Sequence, residues 1–215
     1  MVPSPSQKHA PVGSQPVVTA FLVVGRKRPG FDPEWGKEIE AAAQRITGGD
    51  DFTAVWLAAK AVDDTTLRQA VDEARRLRCQ AMVVLQPTMG DGRLAPILAQ
   101  LWDRPLVFWA TPERPTGLKV SSCSLVGTHV MATTVRQLGH AFELVYGDPD
   151  APETARHLAE SIRLAALAAG LRRSKIGLVG GHAPGFINMH ADPGLLAESL
   201  GVQLHDFGLQ EFFDL

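Results

Sequence analysis

The sequence lacks the features that mark several classes of protein. It has two cysteines, Cys79 in an apolar run and Cys123 in a serine-rich stretch, a usage that favours reduced thiols over a disulfide framework. Its formal charge of -2 argues against nucleic acid or an anionic membrane as a partner. No apolar run approaches the roughly 20 residues that cross a bilayer, and the first residues show no signal-peptide pattern. We therefore expect a cytoplasmic protein with no nucleic-acid or membrane partner.

Several motifs of catalysis and cofactor binding are also missing. The sequence contains neither a Walker A motif nor a G-x-S-x-G nucleophile elbow. Residues 180–185 resemble the dinucleotide fingerprint, but His182 replaces the glycine that lets the backbone approach a pyrophosphate, and Pro184 removes an amide donor. The scattered histidines His182, His190 and His205 lack the spacing of a dependable metal motif. We therefore predict no cofactor and no metal site in this chain, and no serine nucleophile.

What the sequence does contain is a regular alternation of strand and helix patterns. Nearly continuous apolar runs such as VVTAFLVVG and AMVVL are typical of strands covered on both faces. Between them, apolar residues recur at helical spacing. The predicted strands are 17–25, 52–58, 81–85, 105–109 and 142–146, and the predicted helices are 34–46, 63–77, 94–101, 125–138 and about 150–170. This order predicts an α/β fold with a doubly wound, mostly parallel sheet of the Rossmann or flavodoxin-like kind.

Composition divides the chain into three parts. Residues 1–16, rich in proline and serine, predict a disordered tail, and residues 17–173 form the N-terminal α/β domain. Residues 174–215 contain two further strand patterns and a helix, but about 40 residues are too few for a stable core. That segment either begins a second α/β domain, truncated here, or extends the first sheet.

The most polar loops all follow predicted strands, where ligands bind in open α/β sheets. The loop 26–32 (RKRPGFD) carries cations that suit a polar or anionic ligand, although a solvated basic loop explains them equally well. The loop 86–92 (QPTMGDG) offers amide, hydroxyl and carboxylate groups for binding a sugar, and a plain turn is the alternative. A third loop, 111–124, contains Glu113, Arg114 and a run of serines. These loops are the candidate site.

Two stretches resemble the L-fucose isomerase-like sugar isomerases, which are related in architecture to L-arabinose isomerase. Residues 28–32 (RPGFD) are similar to that family's R-P-x-hydrophobic-D turn after the first strand. Residues 175–212 (KIGLVGGHAPGFINMHADPGLLAESLGVQLHDFGLQEF) are similar to the strand, small-residue loop, helix and L-G-V…H…D strand that open the family's second domain.

The resemblance implies aldose-ketose isomerisation with a divalent metal, usually manganese, whose ligands in the family lie beyond this chain. It therefore implies that this chain carries no catalytic residues. It also implies a homo-oligomer, a trimer or hexamer, in which N-terminal loops help to close a neighbour's sugar site. The substrate-binding residues that we expect are Arg28, Asp32, Gln86, Thr88, His182 and Asn188. A non-catalytic sugar-binding or regulatory α/β module is the alternative, because fold analogy does not separate the two.

Overall fold

A computed structural model describes residues 15–25, 31–115, 120–183 and 185–214. Most of the predicted tail, residues 1–14, lies outside the described residues. The chain separates into two compact units, and the division falls between Ala166 and Leu167, inside a long helix. In the described ranges, no helix is long and apolar enough to cross a membrane.

Unit 1, up to Ala166, alternates strands and helices as the sequence predicts. Its strands are β1 (Val17–Val23), β2 (Phe52–Trp56), β3 (Ala81–Gln86), β4 (Leu106–Ala110) and β5 (Glu143–Tyr146). Its helices are α1 (Pro33–Ala43), α2 (Asp64–Arg76), α3 (Leu94–Leu101), α4 (Ser124–Gln137) and α5 (Pro152–Leu171), which crosses the division.

The five strands form one parallel sheet in the order β2-β1-β3-β4-β5. Every residue of β3 and β4 is buried, because helices cover both faces of the sheet. Alternate residues of each strand point to opposite faces: Val84 belongs to the core under α2, α3 and α4, and Val83 to the core under α5. The predicted doubly wound α/β fold is confirmed.

The strand order places a topological switch point between β1 and β3, where the chain changes its direction of winding. In sheets of this order, loops that leave neighbouring strands on opposite faces open a crevice at the carboxyl edge, and ligands bind there. The loops after β1, β3 and β4 all leave from this edge. The fold therefore gathers the described parts of three predicted loops at one edge: residues 31–32, 86–92, and 111–115 with 120–124.

Unit 2, from Leu167 onward, contains a smaller sheet of its own. Strands β6 (Lys175–Val179) and β7 (Gln203–Phe207) pair in parallel, with Lys175 opposite Gln203 and Val179 opposite Phe207. The remaining elements are a 3-10 helix (Ile187–Met189), α6 (Pro193–Leu200) and α7 (Leu209–Phe213). The strand and helix patterns that the sequence shows beyond Arg173 are thus present, and the two strands pair with each other.

Candidate functional site

Thr88, in the loop after β3, lies close to the end of β1 and to α1. A Cβ atom built on Gly36 of α1 would lie 2.7 Å from its Cγ2, and one built on Gly25 would lie 3.2 Å from its Oγ1. Only glycine fits comfortably so close to this side chain. The loop after β3 therefore packs directly on the end of β1 and the first turns of α1, and Thr88 remains partly exposed there.

Gln86, at the end of β3, is fully buried and holds the adjoining loop from beneath. Its side-chain Oε1 accepts a hydrogen bond of 2.9 Å from the backbone N–H of Gly90. Its backbone oxygen accepts a hydrogen bond of 2.5 Å from the hydroxyl of Ser124, and that hydroxyl accepts one of 2.8 Å from the N–H of Thr111. One buried serine thus connects the ends of β3 and β4 to the start of α4.

Three buried polar atoms around this connection have no hydrogen-bond partner in the described part of the chain. They are Nε2 of Gln86 and the hydroxyl oxygens of Thr111 and Thr128. Buried polar groups are normally paired with protein or water, so this interior is more polar than a plain hydrophobic core. It lies behind the carboxyl edge of the sheet.

Asp32 begins α1 and also contacts the loop after β4. Its Oδ1 accepts hydrogen bonds from the N–H groups of Glu34 (3.0 Å) and Trp35 (3.3 Å), as an N-cap does. Its Oδ2 lies 3.1 Å from Nε of Arg114 as an ion pair without an aligned hydrogen bond. The backbone N–H of Asp32 donates to the carbonyl of Ser121 at 2.9 Å. Asp32 therefore caps α1 and also positions the loop after β4.

Arg114 extends this contact along α1. Its guanidinium carbon lies 5.0 Å from the centre of the Trp35 ring, and its NH2 donates to Glu38 at 2.7 Å. The indole N–H of Trp35 in turn donates to the carbonyl of Pro112 at 3.1 Å. The arginine is thus held between two carboxylates and an aromatic ring.

The carboxylate of Glu113 is surrounded by donors from the serine run. Oε2 accepts from the N–H and hydroxyl of Ser121 and from the N–H of Ser122, all at 2.6 to 2.8 Å. Oε1 accepts from the hydroxyl of Ser122 (3.0 Å) and the N–H of Cys123 (2.7 Å). Partial desolvation opposes ionisation, but these hydrogen bonds outweigh it and lower the pKa of Glu113 below its usual value. The negative charge also faces the N-terminus of α4.

The predicted substrate-binding residues fall into three groups. Asp32, Gln86 and Thr88 lie at the carboxyl edge in unit 1, while Arg28 lies outside the described residues. In unit 2, His182 stacks on His190 with ring centres 4.4 Å apart, and its Nε2 accepts from the N–H of Ala191 at 3.3 Å. Asn188 lies exposed in the 3-10 helix.

Sequence reasoning did not select Arg114, Glu113 or Trp35 as site residues, although it named the first two in their loop. The serine run after β4 was the available signal, since consecutive serines before a helix offer hydroxyl and amide donors to a carboxylate. Nothing in the sequence indicated that Trp35 would meet the same loop.

A cavity of about 760 Å³ opens between the segments that follow β2 and β3. Asp63, Asp64 and Asp91 line it together with Arg93, which binds Asp91 at 2.6 Å, over an apolar floor. Asp63 is engaged as the N-cap of α2, and hydrogen bonds from Thr66 lower its pKa. Asp64 is paired with Arg68 at 2.8 Å, so the acidic side chains that line this cavity are engaged in contacts within the protein.

The described residues do not fit a resident metal ion. Within ranges 15–25, 31–115, 120–183 and 185–214, no three His, Cys, Asp or Glu side chains are grouped closely enough to bind one. His182 and His190 form a pair, which is fewer ligands than a stable site requires. Both cysteines are free thiols, and burial raises the pKa of Cys79.

The chain is similar to curated proteins named sulfoquinovose isomerase. It is 25% identical to those of Priestia aryabhattai and Priestia megaterium over 199 residues, which are 93% of this chain and 44% of each relative. It is 24% identical to that of Alkalicoccus urumqiensis over 133 residues, 62% of this chain and 30% of the relative. The chain thus spans less than half the length of the curated relatives it matches.

No protein-family model matches the chain. Among solved structures, it is similar to a dTDP-4-dehydrorhamnose reductase from Bacillus anthracis in complex with NADP, with 11% identity and a TM-score of 0.31. That match covers 90% of this chain and 86% of the other. A likeness this weak gives no guide to the ligand of the present chain.

Proposed function

We propose that this chain is part of a sugar isomerase, an enzyme that interconverts an aldose and a ketose by moving a proton between neighbouring carbons. The observation that carries the proposal is the similarity to sulfoquinovose isomerases over 93% of the chain. Because the chain spans 44% of their length, we assign the activity to the whole protein. We assign to this chain a share in binding the sugar.

The geometry of the carboxyl edge supports that share. Thr88 is partly exposed close to Gly25, which follows β1, and Asp32 lies at the start of α1, near Arg28 in the sequence. Hydroxyl, carboxylate and guanidinium groups are the donors and acceptors that a polyol needs. Gln86 acts from below, because its bond to Gly90 fixes the loop that carries Thr88. We also assign His182 and Asn188, in unit 2, to binding the sugar.

The resemblance to the L-fucose isomerase-like family makes the proposal more specific. It adds manganese as the metal of the whole enzyme, and we assign the ligands to the part of the protein that this chain does not span. It also adds a trimer or hexamer in which Arg28 reaches the sugar of a neighbouring subunit. Sulfoquinovose is the first substrate to test, and the two free thiols suit a cytoplasmic enzyme.

The decisive experiment follows aldose-ketose exchange by NMR in the full-length protein, with sulfoquinovose and a panel of pentoses and hexoses. We expect turnover of at least one sugar, and turnover of none would overturn the proposal. The Arg28→Ala variant should lower kcat/KM at least tenfold without a change in Tm. Arg156→Ala, a change of the same size at an exposed position of α5, is the control. An unchanged kcat/KM for Arg28→Ala would remove that residue from the site.

A non-catalytic sugar-binding or regulatory module is the second candidate. It is favoured by the hydrogen bonds that Asp32 and Glu113 accept from nearby backbone N–H groups. These carboxylates stabilise the local structure, which is a structural role and not a catalytic one. Under either proposal, residues 1–215 alone should show no isomerase turnover, even with added manganese. Binding of a sugar by the full-length protein without turnover would select the second candidate.

A further inference from the structure

Two consecutive serines in the loop after β4 accept hydrogen bonds from the other two loops of the candidate site. The carbonyl of Ser121 accepts the backbone N–H of Asp32 at 2.9 Å, and the carbonyl of Ser122 accepts that of Met89 at 2.8 Å. Asp32 is the N-cap of α1, and Met89 directly follows Thr88 in the loop after β3. The serine pair therefore holds the chain beside both partly exposed sugar-binding residues that we propose in unit 1.

Glu113 fixes the orientation of this serine pair. Its two carboxylate oxygens accept the backbone N–H groups and the hydroxyls of both serines at 2.6 to 3.0 Å. The peptide group between Ser121 and Ser122 donates its N–H to Glu113 and accepts the N–H of Asp32 with its oxygen. A peptide group is planar and trans, so its N–H and its oxygen point in opposite directions. Glu113 thus acts on Asp32 through one rigid group.

Arg114, the next residue, acts on the side chain of Asp32. Oδ1 of Asp32 caps α1, whereas Oδ2 lies 3.1 Å from Nε of Arg114. The Asp32 side chain is 36% exposed, so Oδ2 can still accept a hydroxyl group of a ligand. Arg114 is itself fixed, because its NH2 donates to Glu38 at 2.7 Å and its backbone N–H donates to the hydroxyl of Ser121 at 2.8 Å. The arginine therefore sets the direction of Oδ2.

We propose that Glu113 and Arg114 are positioning residues of the sugar site, which fix Asp32 and Thr88 relative to each other without touching the sugar. In the sheet, β3 separates β1 from β4, so the loop after β4 joins the segments that follow two different strands. The inference rests on the proposed function, and it adds two residues from a loop that supplies no proposed sugar contact.

A purely structural role for these residues would give a different kinetic signature. Loss of stability lowers the folded fraction, which reduces the apparent kcat and leaves the KM of the folded enzyme unchanged. Loss of positioning weakens contacts that the bound sugar makes in both the ground state and the transition state, so KM rises while kcat persists.

Steady-state kinetics of the full-length protein separates the two roles, with sulfoquinovose as the first sugar. Arg114→Ala should raise KM about fivefold or more and change kcat by less than about twofold. Arg114→Lys keeps the charge and should recover part of the loss. Arg136→Ala, at an exposed position in the last turn of α4, is the control and should leave both constants unchanged. A lower kcat at constant KM would overturn the inference.

A double variant tests whether Arg114 acts through Asp32. In the Asp32→Asn background, which already lacks the ion pair, Arg114→Ala should raise KM by less than about a further twofold. If the effects of the two changes on KM simply multiply, Arg114 acts independently of Asp32 and is not its positioning residue.

Hydrogen exchange of the full-length protein, measured by mass spectrometry, tests the role of Glu113 without activity. In Glu113→Gln, peptides that contain the amides of Asp32 and Met89 should both exchange about tenfold faster, while peptides from β3 keep their rate. Glu160→Gln, on exposed α5 surface, is the control. Unchanged exchange at either amide would contradict the inference. Absence of turnover in the wild type would count against the isomerase alone, because exchange does not depend on activity.

Discussion

Ser121 donates two hydrogen bonds to one oxygen of Glu113, because its backbone N–H and its hydroxyl each lie 2.6 Å from Oε2. The same serine accepts the backbone N–H of Asp32 through its carbonyl. The loop after β4 is therefore joined to the start of α1 through a single residue, and the charge of Glu113 strengthens that junction.

Replacing Glu113 by Gln should destabilise unit 1 by about 1 kcal/mol. The residue accepts five hydrogen bonds, but it is exposed and solvent screens its charge, so we expect the lower end of the range for charged acceptors. Urea denaturation measures the change. Glu160→Gln, on an exposed site of α5, is the control and should leave the midpoint unchanged. Equal midpoints for the two variants would show that the junction contributes nothing.

The contribution of Glu113 should depend on pH. Its pKa in the folded state lies below the usual value of 4.5, so its stabilising effect is present above that value. The effect is lost as the pH falls through the lower, folded-state pKa. The difference in free energy of unfolding between wild type and Glu113→Gln should be constant from pH 6 to 8 and shrink below about pH 4.5. A difference that grows in acid would contradict the assignment.

Replacing Ser124 by Ala should cost roughly 2–3 kcal/mol, because it leaves the buried N–H of Thr111 and carbonyl of Gln86 without this partner. The control is Ser161→Ala on α5, a half-buried serine whose hydroxyl binds no described residue. Thermal and urea denaturation compare the two. Similar stabilities would mean that the connection between β3, β4 and α4 does not depend on the hydroxyl.

Two helical glycines have opposite surroundings, so we expect their replacement by alanine to have opposite effects on stability. In Gly127→Ala, the new Cβ would lie 2.6 Å from Oε1 of Gln86 and 2.9 Å from the Cα of Met89, so we expect a loss of about 1–3 kcal/mol. In Gly170→Ala, no atom lies within 4 Å, and the gain in helix propensity should be about 0.5–1 kcal/mol. Urea midpoints that shift in the same direction would contradict the close packing of α4 on the loop after β3.

Two variants of Asp32 separate its two roles. Asp32→Asn keeps the oxygen that caps α1 and loses the ion pair with Arg114, which is partly exposed, so stability should fall by less than about 0.5 kcal/mol. Asp32→Ala also loses the cap and should cost about 1 kcal/mol. Denaturation curves distinguish them, and equal losses would assign the whole effect to the ion pair.

The architecture of unit 1 could be predicted from the sequence because local patterns and tertiary burial agree there. Continuous apolar runs at β1, β3 and β4 indicated strands covered on both faces, and every residue of β3 and β4 is buried. Helix α1 ends at Ala43 rather than at the predicted Ile46. Tertiary contact explains the difference, since Ile46 leaves the helix and its carbonyl accepts the indole N–H of Trp56 at 3.1 Å.

The details of the candidate site could be predicted only in part. The sequence indicated which loops follow strands, and the switch point brings Asp32 and Thr88 to one edge. It did not indicate that Glu113 would be bound by its own loop, or that Arg114 would lie over Trp35, 79 positions earlier in the chain. Such pairs depend on the path of the chain in space, and no local propensity encodes that path.

The uninterrupted course of α5 across the division between the units determines where a protease can separate them. Proteases need a locally unfolded substrate, and the 20 residues of α5 supply none in their hydrogen-bonded interior. Arg172 and Arg173 follow the helix directly and are exposed. Brief trypsin treatment should therefore release a fragment that keeps the whole of α5 and ends at one of these arginines, rather than one cut at Ala166.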